Sequence, residues 1–180
     1  MLKRITAILL VVLSLSLVGC AASATAGLKS YIDTTDGYQF LYPNGWVPVK
    51  VNNGPDVVFH DLIEDTENVS VVISPVSNNK TLTDLGTPDE VGYKLSKNAL
   101  APEGSNRKAE LVSAESREVD GKTYYILEYE VTLPNQKRHN LASVVINRDK
   151  LYTLNISTTE KRWPKMQQQF KQMINSFSVY

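Results

Sequence analysis

The sequence predicts an α+β fold, in which helices pack on the faces of a central antiparallel β-sheet. Two observations predict this class. Most of the chain consists of segments rich in β-branched and aromatic residues, joined by short turn signals that favour hairpins. One helical pattern lies in the middle of the chain and a second lies at its C-terminal end. Strands joined by tight turns pair antiparallel, which leaves the helices to cover the sheet.

The chain opens with an apolar run that follows two positive charges. Lys3 and Arg4 precede residues 5–18, a run too short for a comfortable membrane span of about 20 residues. It ends at Leu17-Val18-Gly19-Cys20, which resembles the lipobox of bacterial lipoproteins, and Cys20 is the only cysteine. The resemblance implies cleavage before Cys20 and acylation of its thiol. An ordinary signal peptide with a chance cysteine is the alternative.

These signals divide the chain into three parts. We expect residues 1–19 to be a lipoprotein signal peptide, residues 20–28 a lipidated tether and residues 29–180 one folded domain. Each buried methylene of an acyl chain contributes about 0.8 kcal/mol, so two or three chains hold a protein on a membrane almost permanently. The domain is therefore expected to work at a membrane surface. We also expect it to be a monomer.

Composition limits the classes of function. The chain has 180 residues, of which 42% are hydrophobic and 21% charged, as in an ordinary soluble domain. Lys3 and Arg4 leave with the signal, so 17 basic side chains remain against 19 acidic ones, a net charge of about −2. That balance argues against nucleic acid as a partner. Acylation of Cys20 leaves no thiol for a disulfide or a cysteine nucleophile.

Turn signals place the first strands. Asp36-Gly37 lies between residues 31–34 and 38–42 and predicts a hairpin. Residues 56–63 and 68–76 are rich in β-branched residues and predict two strands, joined by the polar link of residues 64–67.

Two prolines mark the predicted helices. Pro88, followed by two acidic residues, predicts the start of a helix that ends before Pro102. Pro164 predicts the start of the last helix. Its apolar residues step by three and four and form one stripe: Trp163, Met166, Phe170, Met173, Ile174 and Phe177. Such a stripe is typical of a core-facing helix.

Two long hairpins fill the second half. Asp120-Gly121 joins residues 110–119 to residues 123–133 and predicts a type I′ turn. Residues 138–146 and 151–158 form the second hairpin around residues 147–150. Alternate residues of the strand 123–133 are apolar, which predicts that one of its faces is buried.

An ordered set of motifs resembles the PsbP proteins of photosystem II, and the lipobox resembles that of their cyanobacterial lipoprotein members. The motifs run in order along residues 36–46, 68–75, 82–88, 121–125, 139–141, 150–152, 160–163 and 176–179. Each motif alone is weak, whereas the ordered set spans nearly the whole predicted domain. The resemblance implies an α-β-α sandwich with a central antiparallel sheet.

The same resemblance implies a place and a role. The place is the lumenal side of the cyanobacterial thylakoid membrane, at the core subunits of photosystem II. The role is non-enzymatic support of assembly, repair or stabilisation of the oxygen-evolving complex. No cofactor is required, although calcium, manganese or zinc could bind weakly. The alternative is a periplasmic envelope lipoprotein that uses the same fold to bind another protein or a metal ion.

The resemblance also implies a cation site formed by His139 and Glu160. Hairpin geometry supports the pairing, because a turn centred on Arg148-Asp149 sets His139 opposite Thr158. Glu160 then lies two residues further on the same face, at a diagonal distance of about 7–8 Å. Two ligands bind an ion weakly, and a simple exposed ion pair is the alternative.

Two further sites are predicted. His60 and Asp61 begin the most acidic stretch of the chain and form a second metal candidate, with a solvated turn as the alternative. Lys137, Arg138, Lys161 and Arg162 lie at one end of one hairpin and form a candidate docking patch for an acidic surface of photosystem II. No phosphate-binding loop, nucleophile elbow or HExxH motif is present, so we expect no enzymatic activity.

Overall fold

The structure, a computed structural model, describes residues 27–77 and 79–180. The predicted signal peptide, Cys20 and nearly all of the predicted tether lie outside the described residues. Within the described part of the chain, no helix is both long and apolar enough to cross a bilayer.

Ten strands and two α-helices make up the described fold. The strands are β1 (Leu28–Asp33), β2 (Tyr38–Pro43), β3 (Val47–Pro48), β4 (Val57–His60), β5 (Asn68–Pro75), β6 (Lys108–Val119), β7 (Lys122–Leu133), β8 (Gln136–Asn147), β9 (Lys150–Thr159) and β10 (Ser178–Val179). The helices are α1 (Pro88–Leu95), which continues as a π-helical turn over Ser96–Leu100, and α2 (Trp163–Ser176).

Seven strands form the central sheet, in the order β3-β4-β5-β9-β8-β7-β6 with every neighbour antiparallel. A small second sheet has the order β1-β2-β10. Helix α1 covers one face of the central sheet, while α2 and the small sheet cover the other. The predicted α-β-α sandwich is confirmed, and the three-stranded sheet is an addition to it.

Two hydrophobic cores follow from this layering. Tyr125, Leu127 and Tyr129 alternate along β7 and face α1. The intervening residue Tyr124 faces the other core, which holds the buried Phe170 of α2. The predicted apolar stripe of α2 is thus a core stripe, and its Trp163, Phe170, Met173 and Ile174 are all buried.

Turn chemistry sets the registers. Asp120 and Gly121 both have positive φ, of 49° and 71°, as the predicted type I′ turn requires. Arg148 and Asp149 repeat this geometry with φ of 49° and 57° between β8 and β9. The two-residue turn at 148–149 sets His139 opposite Thr158, so the predicted register is confirmed.

The strand ends define two ends of the domain. At the first, which we call the Gly27 end, the Asn44 amide donates to the Gly27 carbonyl at 2.8 Å and Trp46 Nε1 donates to Asp61 Oδ2 at 3.0 Å. The opposite end, which we call the Tyr180 end, holds the turn after β1, where Lys150 Nζ lies 2.8 Å from Asp36 Oδ1. The β8–β9 turn also lies at the Tyr180 end.

Candidate functional site

A histidine held between two carboxylates forms the candidate site, near the Gly27 end. His139 lies on the face of β8 that α2 covers, and only 3% of it is exposed. Its Nε2 lies 2.7 Å from Glu128 Oε1 and its Nδ1 lies 2.9 Å from Glu160 Oε2. The structure thus brings the predicted pair His139 and Glu160 together and adds Glu128 as a third member.

Neighbouring elements fix the imidazole ring. Trp163, the first residue of α2, stacks on it with ring centroids 3.9 Å apart and planes 12° from parallel. Glu128 is reached diagonally across the β7–β8 ladder, in which Glu130 is the direct partner of His139. The ring therefore has one stacked face and both nitrogens oriented, which leaves it little rotational freedom.

Hydrogen-bond chemistry leaves one position of this cluster open to a cation. A neutral imidazole donates from one nitrogen and offers a lone pair at the other, whereas ionised carboxylates only accept. If Nε2–H donates to Glu128, the lone pair of Nδ1 faces the lone pairs of Glu160. Either a second ring proton or a cation between Nδ1 and Glu160 satisfies both groups. Because the Glu160 side chain is 36% exposed, that position is accessible from solvent.

A buried carboxylate beside the site was not predicted. Glu67 is only 1% exposed, although the sequence suggested that residues 64–67 were a solvated link. Arg162 Nε and Nη2 donate to its two oxygens at 2.8 and 3.0 Å, and Thr158 Oγ1 donates to it as well. The hydrogen bonds to Glu67 raise the pKa of the Arg162 guanidinium. The charge of Arg162 is therefore balanced by Glu67, and it repels a cation at His139 less than an unpaired arginine at the same position would.

The four cations of the predicted docking patch differ in exposure. Arg138 is 9% exposed; it donates to Ser157 Oγ at 2.9 Å and to the Thr66 carbonyl, and burial lowers its pKa. Arg162 is held by Glu67, whereas Lys137 and Lys161 are exposed. Arg138 of the predicted docking patch is not exposed to a partner, because its guanidinium links β8 to the β4–β5 turn. Lys137 and Lys161 carry the exposed charge of the patch.

The second metal candidate has a different arrangement. His60 is the last residue of β4, and Asp61 begins the turn that follows it. Asp61 Oδ1 accepts from the amides of Ile63 and Glu64 at 2.7 and 2.8 Å, and Oδ2 accepts from Trp46. These bonds, that from the Glu64 amide first, hold the pKa of Asp61 below its usual value. Both carboxylate oxygens of Asp61 are thus already used in shaping the turn.

One further acidic group lies at the Tyr180 end. Carboxylate oxygens of Asp33, Asp36 and Asp56 lie within 4.8 Å of one another. Each already has a partner: Asp33 accepts from backbone amides of its own turn, Asp36 pairs with Lys150, and Asp56 accepts from the Tyr38 hydroxyl. The contacts of Asp33 close the β1–β2 turn, and those of Asp36 and Asp56 link this region to β9 and to the start of β4, which accounts for the cluster.

Comparison with known proteins agrees with the fold and with the motif order. The sequence profile of the PsbP family matches residues 26–179. CyanoP of Thermosynechococcus vestitus is 52% identical over 185 aligned positions that cover all of both chains, and CyanoP of Synechocystis sp. is 50% identical over 97% of this chain and 96% of that one. The solution structure of CyanoP from Synechocystis superposes with a TM-score of 0.75 at 49% identity, over 90% of this chain and 98% of that one.

Proposed function

Since this chain belongs to the PsbP family of photosystem II proteins, we propose that it is a lipid-anchored, non-enzymatic accessory protein of photosystem II. It acts on the lumenal face of the cyanobacterial thylakoid membrane, where it supports assembly, repair or stabilisation of the oxygen-evolving complex. The observation that carries the proposal is the match to cyanobacterial CyanoP along the entire chain.

The proposed anchor is Cys20. It is the single cysteine of the chain and follows an apolar run with a positive start. The described domain begins at Gly27, so the chain between them reaches at most about 25 Å, at about 3.5 Å per residue. An acylated Cys20 would therefore keep the domain close to the bilayer and reduce its search for membrane-embedded partners to two dimensions.

The proposed contact with photosystem II core subunits uses Lys137 and Lys161. Both side chains are exposed, and the Glu160 amide donates to the Lys137 carbonyl at 3.1 Å, which holds the two backbone segments together. Exposed charges of one sign speed and orient association with an acidic surface.

Weak binding of a divalent ion is a second proposed property of the same region. Nδ1 of His139 and Glu160 would hold the ion, and Glu128 would orient the ring from Nε2, as carboxylates do for metal-bound histidines. The ion would supply positive charge where two lone-pair-bearing groups meet. Protein ligands at two positions leave the remaining coordination to water, so we expect low affinity for calcium, manganese or zinc.

Charge reversal tests the docking patch. The variant Lys137→Glu/Lys161→Glu is compared with Lys97→Glu/Lys108→Glu, which changes the net charge equally at two exposed lysines elsewhere. Photosystem II core subunits recovered with each protein from solubilised thylakoids are quantified by mass spectrometry. We expect recovery to fall several-fold for the first variant alone. Equal recovery with both variants would assign the contact to another surface.

A further inference from the structure

The turn between β4 and β5 carries the two most exposed large apolar side chains of the described residues. Ile63 is 91% exposed and Leu62 is 66% exposed, and they are adjacent in sequence. Burying aliphatic side chains of this size is favourable wherever a suitable surface is available. An adjacent exposed pair therefore points to a partner that covers it.

The turn is rigid, which distinguishes it from a mobile loop that exposes apolar groups by chance. Asp61 Oδ1 accepts from the amides of Ile63 and Glu64, and Trp46 Nε1 holds the other oxygen of Asp61. The Glu67 amide donates to the Glu64 carbonyl at 2.7 Å. Arg162 then joins the carboxylates of Glu64 and Glu67 to the start of α2. The apolar pair is thus held in one conformation before any partner arrives.

Chain geometry places this turn beside the attachment point of the tether. Gly27 accepts from the amide of Asn44, and Trp46, two residues further on, donates to Asp61. Leu62 follows Asp61 directly. The turn and the first described residue therefore share the Gly27 end of the domain. The chain from Cys20 to Gly27 spans at most about 25 Å, so Gly27 lies within that distance of an anchored Cys20.

Exposed charges of both signs surround the turn. Both oxygens of Asp61 are engaged in hydrogen bonds, and Glu64 faces Arg162 at 3.5 Å. The exposed Lys137 and Lys161 lie at the same end and can meet anionic headgroups. Asp65 in the turn and Glu130 on β7 are exposed acids at this end, and the Glu64 side chain is 43% exposed.

We propose that Leu62 and Ile63 insert into the interfacial region of the bilayer and form a second membrane contact beside the acyl anchor. This inference rests on the proposed anchor at Cys20. Acylation raises the local concentration of lipid around the turn, so even a weak contact is populated. Two attachment points fix the tilt of the domain, and the Tyr180 end with its β8–β9 turn then faces away from the membrane.

Depth-dependent fluorescence tests the contact. The acylated full-length chain is purified in two variants, Ile63→Cys and the control Ile32→Cys, and each new thiol is labelled with an environment-sensitive dye. Ile32 is also an exposed isoleucine, at 55%, but lies in β1 near the Tyr180 end. Both proteins are reconstituted into phosphatidylcholine–phosphatidylglycerol vesicles that carry a nitroxide near the headgroup, since interfacial groups sit about 5–10 Å deep.

We expect the label at position 63 to shift to the blue and to be quenched at least about twofold more strongly than the label at position 32. Equal, weak quenching at both positions in acylated protein would overturn the proposal. A blue shift at position 63 that requires added photosystem II cores would also overturn it and would assign the turn to a protein pocket.

Mass spectrometry of the same samples reports the acyl chains separately, so loss of the anchor is distinguished from loss of the turn contact. Both replaced side chains are exposed, and circular dichroism confirms that each variant is folded.

Discussion

Glu128 Oε1 lies 2.7 Å from Nε2 of His139, on the side of the ring opposite to Glu160. This contact orients the imidazole so that Nδ1 faces Glu160, the more exposed of the two carboxylates. Glu128 is thus a positioning residue for any cation that His139 and Glu160 hold, while Trp163 prevents the ring from turning.

The first prediction concerns ion affinity. We expect His139→Ala to abolish the heat of Mn²⁺ or Zn²⁺ binding in isothermal titration calorimetry, because the nitrogen ligand is lost. Glu128→Gln should weaken binding by about tenfold, since outer-shell carboxylates contribute on that scale. Glu130→Gln is the matched control, as Glu130 is exposed and lies on the same strand. Heats that are unchanged in His139→Ala would rule out this site.

The second prediction concerns the buried carboxylate Glu67. Glu67→Ala leaves Arg162 and Thr158 without their acceptor, so we expect the free energy of unfolding to fall by about 2–4 kcal/mol. Glu64→Ala removes the longer and more exposed contact to Arg162 and should cost less than about 1 kcal/mol. Urea denaturation monitored by circular dichroism measures both. Equal losses in the two variants would contradict the central role of Glu67.

The third prediction concerns the close packing of α1 on β6 and β7. A Cβ at Gly92 would lie 2.9 Å from both δ-carbons of Leu111 and 3.2 Å from Leu127 Cδ2. Gly92→Ala should therefore destabilise the domain by about 1–2 kcal/mol, although alanine favours the helix by about 1 kcal/mol. Adding Leu111→Val removes the clashing δ-carbons and should recover part of that loss in urea denaturation. A Gly92→Ala variant more stable than wild type would show that the helix moves away freely.

The fourth prediction concerns acid. Hydrogen bonds from backbone amides, that of Glu64 first, hold the pKa of the Asp61 carboxyl below its ordinary value of 3.8. The stabilisation is present at pH values above 3.8 and is lost as the pH falls through the lower pKa of the folded state. Near neutral pH we expect Asp61→Asn to be less stable than wild type by about 1 kcal/mol, with the difference shrinking as the carboxyl of the wild type protonates. Thermal unfolding of both proteins from neutral pH to below pH 3.8 measures this stability difference. A difference that does not change with pH would contradict a stabilising role for the ionised Asp61 carboxylate.

Local sequence signals predicted most of the fold and half of the site. The turn residues Asp120-Gly121 and Arg148-Asp149 set strand registers, and the second pair was sufficient to place His139 opposite Thr158. The same reasoning applied to the turn between β7 and β8 could have found Glu128, since that register pairs His139 with Glu130.

Long-range contacts account for what the sequence did not predict. Glu67 is separated from Arg162 by 95 positions, and nothing within residues 64–67 indicates that one of their three acids is buried. Arginine is usually found at the surface, and the sequence around Arg138 does not indicate burial. The Thr66 carbonyl that binds its guanidinium comes from the distant β4–β5 turn. The third strand of the small sheet, β10, pairs with β2 from the opposite end of the chain.

Affinity isolation of the wild-type protein from solubilised cyanobacterial thylakoids tests the proposed function most directly. The proteins recovered with it are identified by mass spectrometry and compared with those recovered from a strain that lacks it. We expect enrichment of photosystem II core subunits. Recovery in a chlorophyll-free envelope fraction without any photosystem II subunit would contradict the account and would favour a periplasmic lipoprotein that uses the same fold.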